Sequence, residues 1–310
     1  TKDGLNRYNG TDFYVFRPVK GDKNSLYNNN IGTICGDKQG HIYIRCKYAV
    51  VEYDIKKNTF HTIRDNDIQA ITYDNARLWV CTRDSLFTYN RVEDRLDYYY
   101  NLEGVRMSCV TEDSAGNLYV GTMNNGLYMI DHNKKWLNYF PKKDITCIYE
   151  DSKKSIWVGT KDDGLFRLDR NGGITNYGTA PHQNMLSSSY VRCVVEDNLG
   201  NYWIGTFKGL DKLDVTTGTF THYSKDNKPY SLSNSSIICM MKDRQGTFWI
   251  GTYYGGVNLF NPDYEIYTYY YPDESQKGKL TSPFAGRMTE DSNGGIWIAT
   301  EGGGVNYLDK

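Results

Sequence analysis

Short apolar and aromatic runs alternate along this chain with polar turns, and the alternation repeats. The clearest stretches read EDSAGNLYVGTMNNGLYMID, EDSKKSIWVGTKDDGLFRLD, EDNLGNYWIGTFKGLDKLD and KDRQGTFWIGTYYGGVNLFN. Each apolar run is about five or six residues long and is bounded by Asp, Asn or Gly, which predicts strands and tight turns. No segment carries a helical period. A unit resolves into four strands. Strand A is a mostly apolar run such as ITCIYE before Asp151. A turn follows, often Asp-x-x-Gly as at Asp113 to Gly116. Strand B is the aromatic-apolar-Gly-Thr run. Strand C opens on a Gly, as at Gly164. Strand D ends in aromatics such as Trp136, Tyr139 and Phe140.

Two markers give the period. The aromatic of strand B stands at Tyr43, Trp79, Tyr119, Trp157, Trp203, Trp249 and Trp297. An Asp precedes it by five or six residues, at Asp37, Asp74, Asp113, Asp151, Asp197, Asp243 and Asp291. Four-stranded units of roughly 40 residues are the size of a propeller blade. The expected fold is all-β: a seven-bladed β-propeller of four-stranded antiparallel blades, one domain spanning residues 1–310. Residues 1–17 read as strands C and D without A and B. Residues 284–310 supply A, B and the start of C. The ring is therefore expected to close by pairing the amino-terminal strands with the carboxy-terminal blade. The alternative leaves both ends as edges.

Composition agrees with an all-β chain. Tyr occurs 28 times and Gly 30 times, residues that favour strands and tight turns. The net charge of −1 gives no basic face for nucleic acid. No apolar run is long enough to span a bilayer. The chain opens mid-pattern at Thr1, so a fragment of a larger protein is expected. Cys109, Cys147, Cys193 and Cys239 fall at one place in successive repeats. They read as small buried apolar side chains, too far apart for disulfides.

In such a blade the B–C loop and the D–A connection share one face, and the A–B and C–D turns share the other. The D–A connections at Pro18–Asn30, Gly178–Ser189, Ser224–Ser236 and Tyr271–Pro283 are long, and variable loops on a rigid scaffold carry binding residues. Ligand candidates on that face are Lys47, Tyr48, Arg83, Asn124, Lys161, Asp162, Phe207, Lys208, Tyr253, Tyr254 and Glu301, with His182 in a D–A connection. Aromatic rings mixed with planar polar groups suit a sugar, and the basic members suit an acidic glycan. An ordinary solvated rim is the competing reading. Arg287 stands in strand A where other repeats have Thr33, Ala70 or Cys, and is a candidate for the central tunnel.

Catalytic, metal and cofactor sites are not expected. An acid repeated in every blade is a turn former, because a catalytic pair is needed once. The five His residues share no ligand spacing and there is no Cys-x-x-Cys. The Gly runs at Gly255 and Gly302 do not lead into a helix, and no nucleophile elbow occurs.

The pattern E-D-x-x-G-x-[LIY]-W-[IV]-G-T-x-x-G-[LV]-x-x-[LY]-D resembles the two-component regulator propeller repeat. GLNRYNG and DNKPYSLSNSSI resemble the family's first blade and inter-blade link. Ile44-Arg45-Cys46 and Val80-Cys81-Thr82 depart from it. The resemblance implies the periplasmic sensor part of a hybrid two-component histidine kinase that recognises an oligosaccharide. Its partners would be an adjoining propeller and an immunoglobulin-like domain of the same chain, and a second copy of the receptor. Two other readings remain: a propeller lyase or hydrolase with Asp-box-like turns, and a scaffold for protein contacts.

Overall fold

The computed structural model describes residues 3–178, 185–226, 231–262, 280–282, 284–292 and 295–308. Among these residues every regular element is a strand. The chain divides into two compact units, Thr1–Asn261 and Pro262–Lys310.

The first unit opens with a two-stranded sheet, Leu5–Tyr8 and Phe13–Phe16. Five four-stranded antiparallel sheets follow. Their strands A to D, in order, are Ile31–Gly36, His41–Cys46, Ala49–Asp54 and Thr59–Arg64 in blade 1. Blade 2 has Ala70–Asp74, Arg77–Cys81, Ser85–Asn90 and Arg95–Asn101. Blade 3 has Met107–Glu112, Leu118–Thr122, Leu127–Ile130 and Trp136–Tyr139. Blade 4 has Ile145–Glu150, Ile156–Thr160, Leu165–Leu168 and Ile174–Tyr177. Blade 5 has Val191–Glu196, Tyr202–Thr206, Leu210–Leu213 and Phe220–Tyr223. Blade 6 contributes Ile237–Lys242, Phe248–Thr252 and Gly256–Phe260. The second unit holds a sheet of the same A–B–C order: Ala285–Glu290, Ile296–Thr300 and Gly304–Leu308. The sheets are propeller blades: all-β, antiparallel and repeated, as the sequence pattern predicts.

The core of the first unit lies between blades. Trp157 and Leu165 of blade 4 pack with Val191, Val194, Tyr202 and Ile204 of blade 5. Trp203 and Leu210 of blade 5 pack in turn with Ile237, Phe248 and Ile250 of blade 6. The strand B aromatic thus points at the following blade. Trp203 lies 4.9 Å from Phe260, at the end of the next strand C. Tyr8 holds the corresponding place 5.9 Å from Trp249. On its other side the amino-terminal sheet packs Leu5 and Phe16 against Tyr53 and Phe60 of blade 1. Leu5–Tyr8 is therefore built as a strand C between blades 6 and 1.

The two sequence markers turn out to be one device. The Oδ1 atom of Asp151 accepts the backbone N–H groups of Lys153 and Ser155. Its Oδ2 accepts Trp157 Nε1–H at 2.8 Å. The same Asp-to-Trp bond recurs at Asp197–Trp203, Asp243–Trp249 and Asp291–Trp297. The Glu before the Asp acts across blades. Glu196 accepts the Ser152 N–H and hydroxyl, and Glu150 accepts those of Ser114. Blade 2 has a two-residue A–B turn with Asn75 and Ala76 at positive φ. There Trp79 turns to Glu112 of blade 3.

The cysteine expectation holds in part. All seven are free thiols, but only Cys46 and Cys81 are fully buried, Cys35, Cys109, Cys147 and Cys193 are half-buried, and Cys239 is exposed. The recurrent thiols sit against the Gly of strand B in their own blade. Desolvation pushes the Cys109 thiol up to about 11 and the Cys147 thiol up to about 12. At pH 7 a thiol at about 12 is thiolate only to about 10⁻⁵, and the thiolate is the reactive form. A thiol-specific reagent is therefore expected to label Cys239 first, and all seven only after denaturation; rapid labelling of Cys147 in the folded protein would contradict this packing.

Candidate functional site

In blades 1, 3, 4, 5 and 6 the B–C loop and the D–A connection meet through one repeated hydrogen bond. The first residue after strand B donates its N–H to the carbonyl of the residue before strand A. The pairs are Lys47 to Asn30, Met123 to Arg106, Lys161 to Asp144, Phe207 to Tyr190 and Tyr253 to Ser236. In the second unit Glu301 donates to Phe284 in the same way. Backbone ladders thus fix the rim on which most of the candidates stand.

A side-chain clamp supports the D–A connection of blade 5. Asp211, fully buried on strand C, accepts the Ser187 N–H and hydroxyl at 2.8 and 2.9 Å. The Ser187 hydroxyl also meets that of Thr206, the Thr of the Gly-Thr pair. Asn258, Ser233 and Thr252 repeat the arrangement in blade 6, as do Asn306, Thr281 and Thr300 in the second unit. Asp211 alone of these three carries charge, and it alone has a His partner, His222 Nδ1 at 2.7 Å. Asp211→Asn is expected to cost under about 1 kcal/mol, since Asn258 performs the same task. Asp211→Ala strands Ser187 and should cost about 2–3 kcal/mol. Urea midpoints for the two variants check the contrast.

The candidates fall into separate groups. Lys47 and Tyr48 stand together in one turn, with Lys47 Nζ 5.7 Å from the Tyr48 ring. Asn124 and Lys161 share Asp144: the Asn124 N–H donates to its carboxylate, and Lys161 Nζ lies 3.8 Å away. Lys143 and Asp163 pair nearby at 2.6 Å, so the charges of this sector satisfy one another. Arg83 is tied by its backbone to Asp67 and Met107, and Asp162 is exposed. Arg287 lies on strand A of the last sheet, exposed, with Glu301 in the B–C loop there. His182 lies outside the described residues.

Phe207, Tyr253 and Tyr254 form the third group, and Arg192 gathers it. Phe207 stacks on Tyr190 with ring centroids 6.3 Å apart and planes 16° apart. The Arg192 guanidinium is 4.6 Å from the Tyr190 centroid and 5.1 Å from that of Phe207. Its Nη1 donates to Ser236 Oγ and to the Ile237 carbonyl of blade 6. Tyr253 and Tyr254 meet edge to face at 4.4 Å. Hydrogen bonding to Tyr254 raises the Tyr253 hydroxyl, and the nearby Arg192 charge acts in the opposite direction. Phe207 and Tyr253 are about half exposed and Tyr254 is 88% exposed. Lys208, exposed beside Phe207, adds a second cation. Rings are thus presented to solvent around a cation that spans two blades.

Tyr190 and Arg192 are absent from the set read from sequence. A signal for Arg192 existed. Its strand A position holds Ser108 and Thr146 in the two preceding blades, and each donates its hydroxyl to the first carbonyl of the next strand A. An Arg there keeps that bond and carries a longer, charged group to the rim.

A sequence profile described as two component regulator propeller matches residues 139–162, 185–208 and 231–254. Each match runs from the end of a D–A connection, or the strand D before it, through strands A and B into the B–C loop. These three segments are similar to the two-component regulator propeller repeat. No curated protein matches the whole sequence significantly. Among solved structures, the chain is similar to the extracellular domain of BT3049 of B. thetaiotaomicron, assigned to the hybrid two-component systems. That similarity has a TM-score of 0.71 at 22% identity and covers 100% of this chain and 49% of the other. PorZ, a bacterial surface component of the type-IX secretion system of Porphyromonas gingivalis, aligns with a TM-score of 0.61 at 15% identity, covering 96% and 48%. The gluconolactonase XC5397 of Xanthomonas campestris aligns at 0.52 and 10% identity, covering 74% and 86%. The chain thus spans about half the length of the first two neighbours, and these likenesses establish the propeller fold. Within the repeats of this chain, the Asp, Trp and Gly-Thr positions build blades and the rim residues vary.

Proposed function

We propose that this chain is a ligand-sensing propeller of an extracytoplasmic receptor in a hybrid two-component system, and that its ligand is an oligosaccharide held on the B–C loop rim. The observation that carries the reading is the solvent-facing group of Tyr190, Phe207, Tyr253 and Tyr254 around Arg192. Rings offer flat apolar faces to a pyranose, and a few fixed polar groups orient it, the usual composition of a small-ligand site. The position is also suited to transmission. Arg192 belongs to blade 5 and bonds to blade 6, so a ligand that engages it bears on both. The signal would pass to adjoining domains of the intact receptor, a further propeller and an immunoglobulin-like domain, and through a paired receptor to a cytoplasmic kinase.

A thermal-shift screen with oligosaccharides tests the proposal. Saturable stabilisation is expected, without turnover, and Tyr253→Ala should weaken it about tenfold or more. Release of product from any glycan would replace the sensor with an enzyme. A broad panel without a shift would favour a scaffold.

A further inference from the structure

The rim is uneven in charge. Around blades 3 and 4 two rim lysines have acid partners: Lys161 with Asp144, Lys143 with Asp163. Around blades 5 and 6 the rim cations Arg192 and Lys208 have none among the described residues. The B–C loops at 206–209 and 252–256 and the D–A stretches at 185–190 and 231–236 contain no acid, and the two D–A stretches are rich in Ser; Asp226 stands further back in the second D–A connection. Among the described residues Arg192 has no carboxylate partner. Its two described side-chain hydrogen bonds are to neutral acceptors, both through Nη1. Nε and Nη2 have none there. The guanidinium is half-buried over two rings, an environment that holds its plane and lowers its exposure to screening water. An Arg fork held this way is suited to an oxyanion that presents two oxygens, which it can grip with two parallel charge-assisted bonds.

We propose that Arg192 is the anion-recognising residue of this surface, and that the ligand is an acidic oligosaccharide whose carboxylate or sulfate group meets Nε and Nη2 while its sugar ring lies on Phe207 or Tyr253. This rests on the oligosaccharide reading above and narrows it to one chemical class. The neighbouring Ser hydroxyls can donate to the same anion, and Lys208 adds attraction at longer range. The surface selects through charge: a neutral sugar leaves the guanidinium without its anionic partner, whereas an acidic one neutralises it.

The test is calorimetric titration of the folded chain with three oligosaccharides of equal length: one bearing a uronate, one a sulfate ester, one neutral. A uronate or sulfate ligand is expected to bind about 10- to 100-fold more tightly than the neutral one, the range of a hydrogen bond to a charged group. Whichever anion wins identifies the group. Affinity for it should fall as salt rises from 50 to about 500 mM. Arg192→Gln, which keeps an amide N–H for Ser236, should remove the preference, so that the acidic ligands bind no more tightly than the neutral one. Arg192→Lys should recover part of it. Equal affinity for all three, or acidic binding that ignores both salt and Arg192→Gln, overturns the assignment. Binding of the neutral ligand alone also overturns it and leaves the oligosaccharide reading standing. Failure of all three overturns both.

Discussion

Asp151→Ala is expected to lower the unfolding free energy by about 3–5 kcal/mol. The side chain is buried and serves four donors: the N–H groups of Lys153 and Ser155, Trp157 Nε1–H and the Tyr202 hydroxyl of blade 5. Each buried donor left without an acceptor costs about 1–3 kcal/mol, and the two backbone groups recover part of this if water enters the turn. Trp157 and Tyr202 cannot, because both are almost wholly buried, with ring centroids 4.2 Å apart. The loss therefore loosens the contact between blades 4 and 5 as well as one turn. Asp243 holds Trp249 in the same way, but its surroundings are more open, so Asp243→Ala should cost clearly less. Urea denaturation of both variants measures the difference. Equal midpoints would show that the Asp acts only as a local turn former.

Gly205→Ala is the second large effect. A Cβ there would stand 2.5 Å from Cys193 Sγ and 2.6 Å from Ile237 Cγ2 of blade 6. Overpacking of this kind costs about 1–3 kcal/mol and more when two sides resist. Gly251 offers the control. Its Cβ would crowd the Cys239 thiol at 2.8 Å, and among the described residues no other side chain lies within 4 Å of it. Adding Cys239→Ala should therefore return Gly251→Ala close to wild-type stability. Adding Cys193→Ala should rescue Gly205→Ala only partly, since Ile237 remains. The chain already contains natural versions of this exchange. In blade 2, Cys81 takes the Gly position and faces Ala70. In blade 1, Arg45 takes it, and Gly32 on strand A leaves room for the guanidinium.

Those exchanges explain why blades 1 and 2 depart from the repeat and still form complete four-stranded sheets. The repeat, its strands and its Asp turns were legible because each depends on residues a few positions apart. Alternation sets the strand faces, and an Asp carboxylate reaches N–H groups two and four residues on. The Glu clamps were not legible. Glu150 and Glu196 meet Ser114 and Ser152, 36 and 44 residues distant, and only blade stacking brings them together. Arg192 and Tyr190 escaped for the same reason. Their meaning comes from Phe207 across a strand pair and Ser236 on the next blade. Loop position marked Phe207, Tyr253 and Tyr254 as candidates, but it could not separate them from Asn124 or Lys161, whose backbone N–H and ammonium, respectively, meet Asp144.

A crystal structure of the chain with the tightest oligosaccharide from the screen tests the central claim most directly. The account predicts a pyranose ring lying on Phe207 or Tyr253, on the rim of blades 5 and 6, with an acidic group at Arg192. Density for the sugar at the Asp-x-x-Gly turns on the opposite face, or on the outer edge of a blade away from Arg192, would contradict it.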